Sequence, residues 1–206
     1  METLLLVLAL SLDAFVASIA YGTNGIKIPF KSIIIIDLIC AFFLMVSLLL
    51  GNLIGEILPN KFNIIISFLI LISIGIYYLF ESFVKSYLKG RKGKNGKLKL
   101  KLFNISFIIE VYIDETKADM DNSKNLNSKE ALYLALALSL DSLAIGFGSG
   151  LINVNFLYIV FISLIMDLLA IWSGLFLGKF FMRKSKFDLS WLTGIILIVL
   201  ALLKLK

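Results

Sequence analysis

Residues Ala9–Asp13 read ALSLD, and residues Ala137–Asp141 read ALSLD again, 128 positions later. The match extends as SLDAFVASIAYG from Ser11 against SLDSLAIGFGSG from Ser139, so that Gly22 aligns with Gly150. Each copy is followed by a second apolar run with a GxxxG step, Gly51 to Gly55 and Gly174 to Gly178, and then by a third apolar run. The pattern predicts a duplicated three-helix unit. Because three crossings is an odd number, the second unit must enter a membrane upside down relative to the first, the inverted-repeat plan of many secondary transporters.

The surrounding composition agrees with a membrane. Of 206 residues 60% are hydrophobic and 17% charged, and mean hydropathy is +0.98, which excludes a water-soluble globule. Six stretches reach the ~20 residues that a spanning helix needs: 3–22, 32–55, 63–83, 131–150, 155–178 and 188–205. The first has an acidic start, Met1 and Glu2, and no basic leader, so it is expected to be a span and not a cleaved signal. The expected fold is an all-α integral membrane protein of six transmembrane helices, arranged as two inverted repeats over residues 1–84 and 130–206 with an insert at 85–129 between them.

Orientation follows from Lys and Arg, which stay on the cytoplasmic side. One face carries Lys61, Lys204 and Lys206; the other carries the remaining 17 of 20 basic residues. Both termini are therefore expected outside and residues 85–129 in the cytoplasm of a multi-pass cell-membrane protein. The net charge of +6 reads as this topology signal and as attraction to anionic lipid. No nucleic-acid-binding module is present, and no particular protein partner is indicated.

Acids inside the apolar spans carry the functional reading. Asp13 and Asp141 each lie ten residues into their helices, from opposite faces. At 1.5 Å per residue both reach ~15 Å depth, half of the ~30 Å hydrocarbon core. A charged carboxylate there costs about 2.5–3.5 kcal/mol on insertion scales, so a pair of them points to a cation pathway. Asp167, on the second helix of its copy, is expected to be a third ligand. Asp37 is nearer the basic face, as a first contact for an incoming ion or a partner of a nearby Lys. Ser11 and Ser139 are the adjacent neutral oxygens, although such serines commonly bond back to their own helix. With no histidine and a single cysteine, Cys40, any metal chemistry must use oxygen, which favours magnesium, calcium or manganese. Protons and metal would compete for these carboxylates.

The insert divides by charge: residues 85–101 hold eight basic groups and no acid, residues 110–130 six acids and three lysines. The stretch KGRKGKNGK from Lys89 reads as a flexible, lipid-facing linker. Residues 98–113 alternate with period two and predict strand or interface-bound structure. Beyond it, Asp119, Asp121, Ser123, Asn125, Asn127 and Glu130 occupy positions 1, 3, 5, 7, 9 and 12 of an EF-hand-type loop, with Leu126 at the apolar eighth position. Lys124 takes the sixth position, where glycine is usual, and no clear helix enters the loop. This is a possible calcium site; the alternative is that Ser128 and Glu130 serve only to start the next helix.

The duplicated SLD motif followed by small residues resembles the manganese efflux pump (MntP-type) family of the lysine-exporter superfamily. The segment KADMDNSKNLNSKEALYLALALSLDS from Lys117 resembles more narrowly its sporulation membrane protein (YtaF-type) branch. The resemblance implies a six-helix inner-membrane protein in which Asp13 and Asp141 are the motif acids, and it adds manganese as the cargo. The pumps have a shorter central loop without this carboxylate run. The expected function is thus a transporter, not an enzyme, with no resident cofactor in the membrane: export of a divalent cation, manganese, by proton- or potential-coupled secondary transport, ATP being excluded by the lack of a P-loop. The alternative is a non-transporting membrane protein of spore formation whose cytoplasmic loop senses calcium or recruits a partner.

Overall fold

The computed structural model describes residues 2–91, 105–152, 154–180 and 190–204. Among these residues it has seven α-helices: α1 (Glu2–Thr23), α2 (Phe30–Ile57), α3 (Asn60–Arg91), α4 (Ile105–Ile113), α5 (Ser128–Gly150), α6 (Phe156–Phe180) and α7 (Ser190–Lys204). The chain's two prolines, Pro29 and Pro59, stand immediately before α2 and α3. A residue without an N–H loses nothing there, because the first helical N–H groups lack internal partners. Five helices, α1, α2, α3, α5 and α6, are long and apolar enough to cross a membrane. The described part of α7 has 15 residues and falls short of that length alone.

Packing is reciprocal between the two halves of the chain. The most extensive seams pair α1 with α6, α2 with α5, and α3 with α7. Small residues set the first two. A Cβ added at Gly178 would lie 2.5 Å from the Ile19 carbonyl oxygen and 2.8 Å from the Gly22 Cα. At Gly51 it would lie 2.6 Å from the Phe147 oxygen and 3.0 Å from the Gly150 Cα. Ile19 and Gly22 plus 128 are Phe147 and Gly150, so Gly51 occupies on α2 the place that Gly178 occupies on α6. The two GxxxG steps are therefore one helical turn out of register. Ser47 is the true counterpart of Gly174: it is small, it packs on Gly146, and its hydroxyl donates to the Leu143 carbonyl across the seam.

Large apolar side chains point outward. Phe42, Leu53, Phe161, Trp172 and Phe176 are each more than half exposed, while small residues and Leu fill the seams. An apolar exterior of this kind has lipid for a solvent.

The expectation for residues 98–113 is corrected over the part described: residues 105–113 form helix α4, not a strand. Phe107, Ile108, Val111 and Tyr112 recur at helical spacing and pack into one core, with Val111 fully buried and Phe107 edge-on to Tyr133 at 5.1 Å. Most of the KGRKGKNGK linker lies outside the described residues, and α3 continues to Arg91. After α4 comes a 3₁₀ turn, Glu115–Ala118, and then the acidic loop. The loop docks on the connection between α1 and α2: the Lys27 N–H donates to the Lys124 carbonyl at 2.8 Å, and the Leu126 N–H to the Lys27 carbonyl at 2.9 Å. Leu126 itself is fully buried among Tyr21, Ile26, Ile33 and Leu134.

Candidate functional site

The intramembrane acids come from four different helices. On α1, Asp13 is half-buried and accepts a 2.8 Å hydrogen bond from the Tyr78 hydroxyl of α3. On α5, Asp141 is half-buried and accepts one from the Tyr112 hydroxyl of α4 at 3.2 Å, and Tyr112 is in turn 3.4 Å from the Tyr77 hydroxyl. Asp37 on α2 and Asp167 on α6 are buried, and each keeps an Oδ1 without a hydrogen-bond partner. All four carboxylates act electrostatically on the half-buried Cys40 of α2, and Asp37 acts on Asp167. Cys40 therefore lies within electrostatic reach of acids on α1, α2, α5 and α6.

Asp37 is buried in the helix packing although it lies six residues from the exposed Lys31. Six residues on a helix turn the side chain by about 120° out of line as well as moving it along the axis. Lys31 consequently points to the exterior and Asp37 to the core, so the expected pairing with this lysine gives way to burial. Ser11 and Ser139 bond back to their own helices, as such serines commonly do: each hydroxyl donates to a carbonyl three residues back, Leu8 and Leu136, at 3.2 and 2.9 Å. The bonding is the same in both motifs.

Toward the insert, the space between helices closes. A gap of about 10 Å³ lined by Ala14, Ser18, Tyr21, Ile36, Leu138 and Ile171 remains, room for about one water. Tyr21 seals it, fully buried, with its hydroxyl donating at 2.6 Å to the Glu115 carbonyl of the 3₁₀ turn. The insert is therefore part of the wall on this side.

The loop gathers its own acids. Asp119, Asp121 and Glu130 each offer an oxygen within 4.8 Å of the others, and among the described residues this is the group of three acids that converges so closely. Asn127 caps α5 through its side chain, which accepts from the Lys129 and Glu130 N–H groups, while Glu130 accepts from the Asn127 N–H at 2.9 Å. This reciprocal box, not Ser128, starts the helix. Lys124 adopts φ +56°, the left-handed conformation that the sixth position of such a loop requires. Ser123 stabilises the charged form of Asp121, by its hydroxyl first and its N–H second, and holds that carboxyl below the ordinary range.

A family model described as "Putative manganese efflux pump" matches residues 96–205. The chain belongs to the manganese efflux pump (MntP) family. It is 31% identical over 207 residues to a curated relative, "Probable sporulation protein YtaF" of Bacillus subtilis (strain 168), with 98% of this chain and 97% of the relative aligned. No solved structure matches. As a member of this family of transporters the chain is a multi-pass membrane protein. The matched region holds the acidic loop, Asp141 and Asp167; Asp13 and Asp37 fall in the copy ahead of it.

Three tyrosines, Tyr77, Tyr78 and Tyr112, join Asp13 and Asp141 in hydrogen bonds and were not among the residues expected from sequence. The Tyr77–Tyr78 pair was visible as a polar interruption in an aliphatic span. Tyr112 gave no such signal, because only the fold of α4 brings it to Asp141.

Proposed function

We propose that the chain exports a divalent cation, manganese, by secondary transport. One observation carries the reading: acids on four membrane helices, Asp13, Asp37, Asp141 and Asp167, all act electrostatically on one residue, Cys40, and two of them, Asp37 and Asp167, are buried with an unpartnered oxygen. Asp13 and Asp141 are the central pair, and Asp37 and Asp167 line the same passage. Hydroxyls of Tyr78 and Tyr112 steady the pair between ions and yield as a metal arrives. A proton and a metal compete for the same oxygens, which couples cation export to proton entry.

The topology that goes with this has six spans, α7 being the sixth, in two inverted repeats. Its support is the exchange of seams, α1 on α6 and α2 on α5, and the hydrogen bonding of the α1–α2 connection to the loop just ahead of α5, which puts the end of one motif helix beside the start of the other. Rocking of one repeat on the other would open the Tyr21 seal and close the opposite side. The termini lie outside and the insert in the cytoplasm, by the placement of lysine and arginine. The relative's name, a probable sporulation protein, supports a role in spore formation for this chain as well.

The test is intracellular manganese in cells lacking their own exporter. The parent chain lowers it. Asp13→Asn with Asp141→Asn does not, at equal membrane abundance; if that double variant lowers it as well as the parent, the assignment is wrong.

A further inference from the structure

Asp119 is out of place as a merely solvated loop acid. It is only 8% exposed, and its buried Oδ1 has no hydrogen-bond partner. Its other oxygen, Oδ2, accepts from the Lys124 N–H at 3.1 Å. The carboxylate faces the oxygens of Asp121 and Glu130, within 4.8 Å. Two of these three acids, Asp119 and Glu130, are buried, with the exposed Asp121 closing on them from the solvent side, and a buried charged oxygen without a partner costs several kcal/mol in general. A hard cation resolves both at once, because it binds carboxylate, hydroxyl and carbonyl oxygens together.

We propose that residues 119–130 form a resident site for a hard divalent cation of the calcium type, separate from the transport cluster, that clamps the insert onto the connection between α1 and α2. Asp119 Oδ1 and the carboxylates of Asp121 and Glu130 are the charged ligands. The Ser123 hydroxyl and the Asn125 carbonyl, at the fifth and seventh positions, supply neutral oxygens. Glu130 is already aimed: its Oε1 accepts from the Met120 N–H and its Oε2 from the Asn127 N–H, both at 2.9 Å, leaving further lone pairs on each oxygen. The segment the cation would fix is the one that holds the α1–α2 connection, through Lys27, through the Ser32 hydroxyl donating to the Leu126 carbonyl at 2.8 Å, and through Leu126 in the core. Binding therefore stiffens the wall that Tyr21 and Glu115 complete. Lys124 opposes it by charge, so the ion is held less tightly than with glycine at the sixth position.

The full-length chain carrying Asp13→Asn and Asp141→Asn isolates this site from the central pair. In detergent micelles it is titrated calorimetrically with calcium, manganese and magnesium chloride to about 5 mM. One saturable site is expected, filled by calcium or manganese in preference to magnesium. Asp121→Asn, at an exposed position that packs nothing, weakens it by at least about tenfold, the loss usual even for groups one step removed from a metal. Lys124→Gly tightens it about fivefold, since it removes the repelling charge and glycine takes the same backbone angle freely. Hydrogen exchange gives a second readout: cation slows exchange of the Lys27 and Leu126 amides. Preference for calcium or for manganese identifies the occupant, and either supports the site. An isotherm that neither Asp121→Asn nor Lys124→Gly changes, or no binding of any of the three ions, overturns it, and leaves the export reading to stand or fall on its own assay.

Discussion

In the loop, three acids from twelve consecutive residues bring oxygens within 4.8 Å of one another; in the long apolar helices, Asp13, Asp37, Asp141 and Asp167 come from four different elements and show no such convergence among the described residues. The loop acids are tied to backbone N–H groups of their own segment. Asp13 and Asp141 are held by tyrosines from α3 and α4, on elements that can move relative to them. The difference separates a site that retains an ion from one that passes it on. A transported ion must bind well enough to enter and weakly enough to leave, and ligands spread over several helices can be brought together and parted as the helices rock.

If that contrast is right, the largest effect belongs to the membrane acids taken singly. Asp13→Asn or Asp141→Asn reduces the manganese export rate on the order of a hundredfold, the scale of removing one partner from a buried charge pair. Equal export from both variants and the parent would erase the contrast. Next come the seams on which the rocking depends. Gly178→Leu forces a side chain against the Ile19 carbonyl, and Gly51→Leu does the same against the Phe147 carbonyl. Each costs about 1–3 kcal/mol, read as a lower melting temperature in detergent, and the two losses should be similar because the seams are counterparts.

Smaller still, Tyr78→Phe and Tyr112→Phe each remove one hydrogen bond to a carboxylate and should change the export rate about tenfold. The Tyr112 variant sharpens the comparison, because it tests whether the insert takes part in the membrane site. Least affected by design is Asp121→Asn: export at saturating manganese should stay within about twofold of the parent, since the loop holds no cargo in transit. A loss as large as that of Asp141→Asn would merge the two groups into one pathway.

The repeated ALSLD exposed Asp13 and Asp141 because an acid stands out in an apolar run, and because helical rise converts position into depth without further information. At Asp37 the rotation of the helix, and not the distance from Lys31, decides which way the carboxylate points. The GxxxG steps misled by one turn for a related reason. Close approach needs any small residue, and Ser47 serves as well as glycine once its hydroxyl finds the Leu143 carbonyl. In the loop, ligand spacing was readable, but Lys124 stood against it until the backbone showed a left-handed residue there. Tyr112 was hidden altogether: α4 is too short to declare itself by periodicity, and its reach to Asp141 is made by tertiary packing.

The most direct measurement is manganese flux in vesicles reconstituted with the purified chain, under an imposed proton gradient, for the parent and for Asp13→Asn with Asp141→Asn. The account predicts gradient-driven manganese movement by the parent and none above protein-free vesicles by the double variant. Equal flux from both, or no flux from a parent chain shown to be folded, would contradict it.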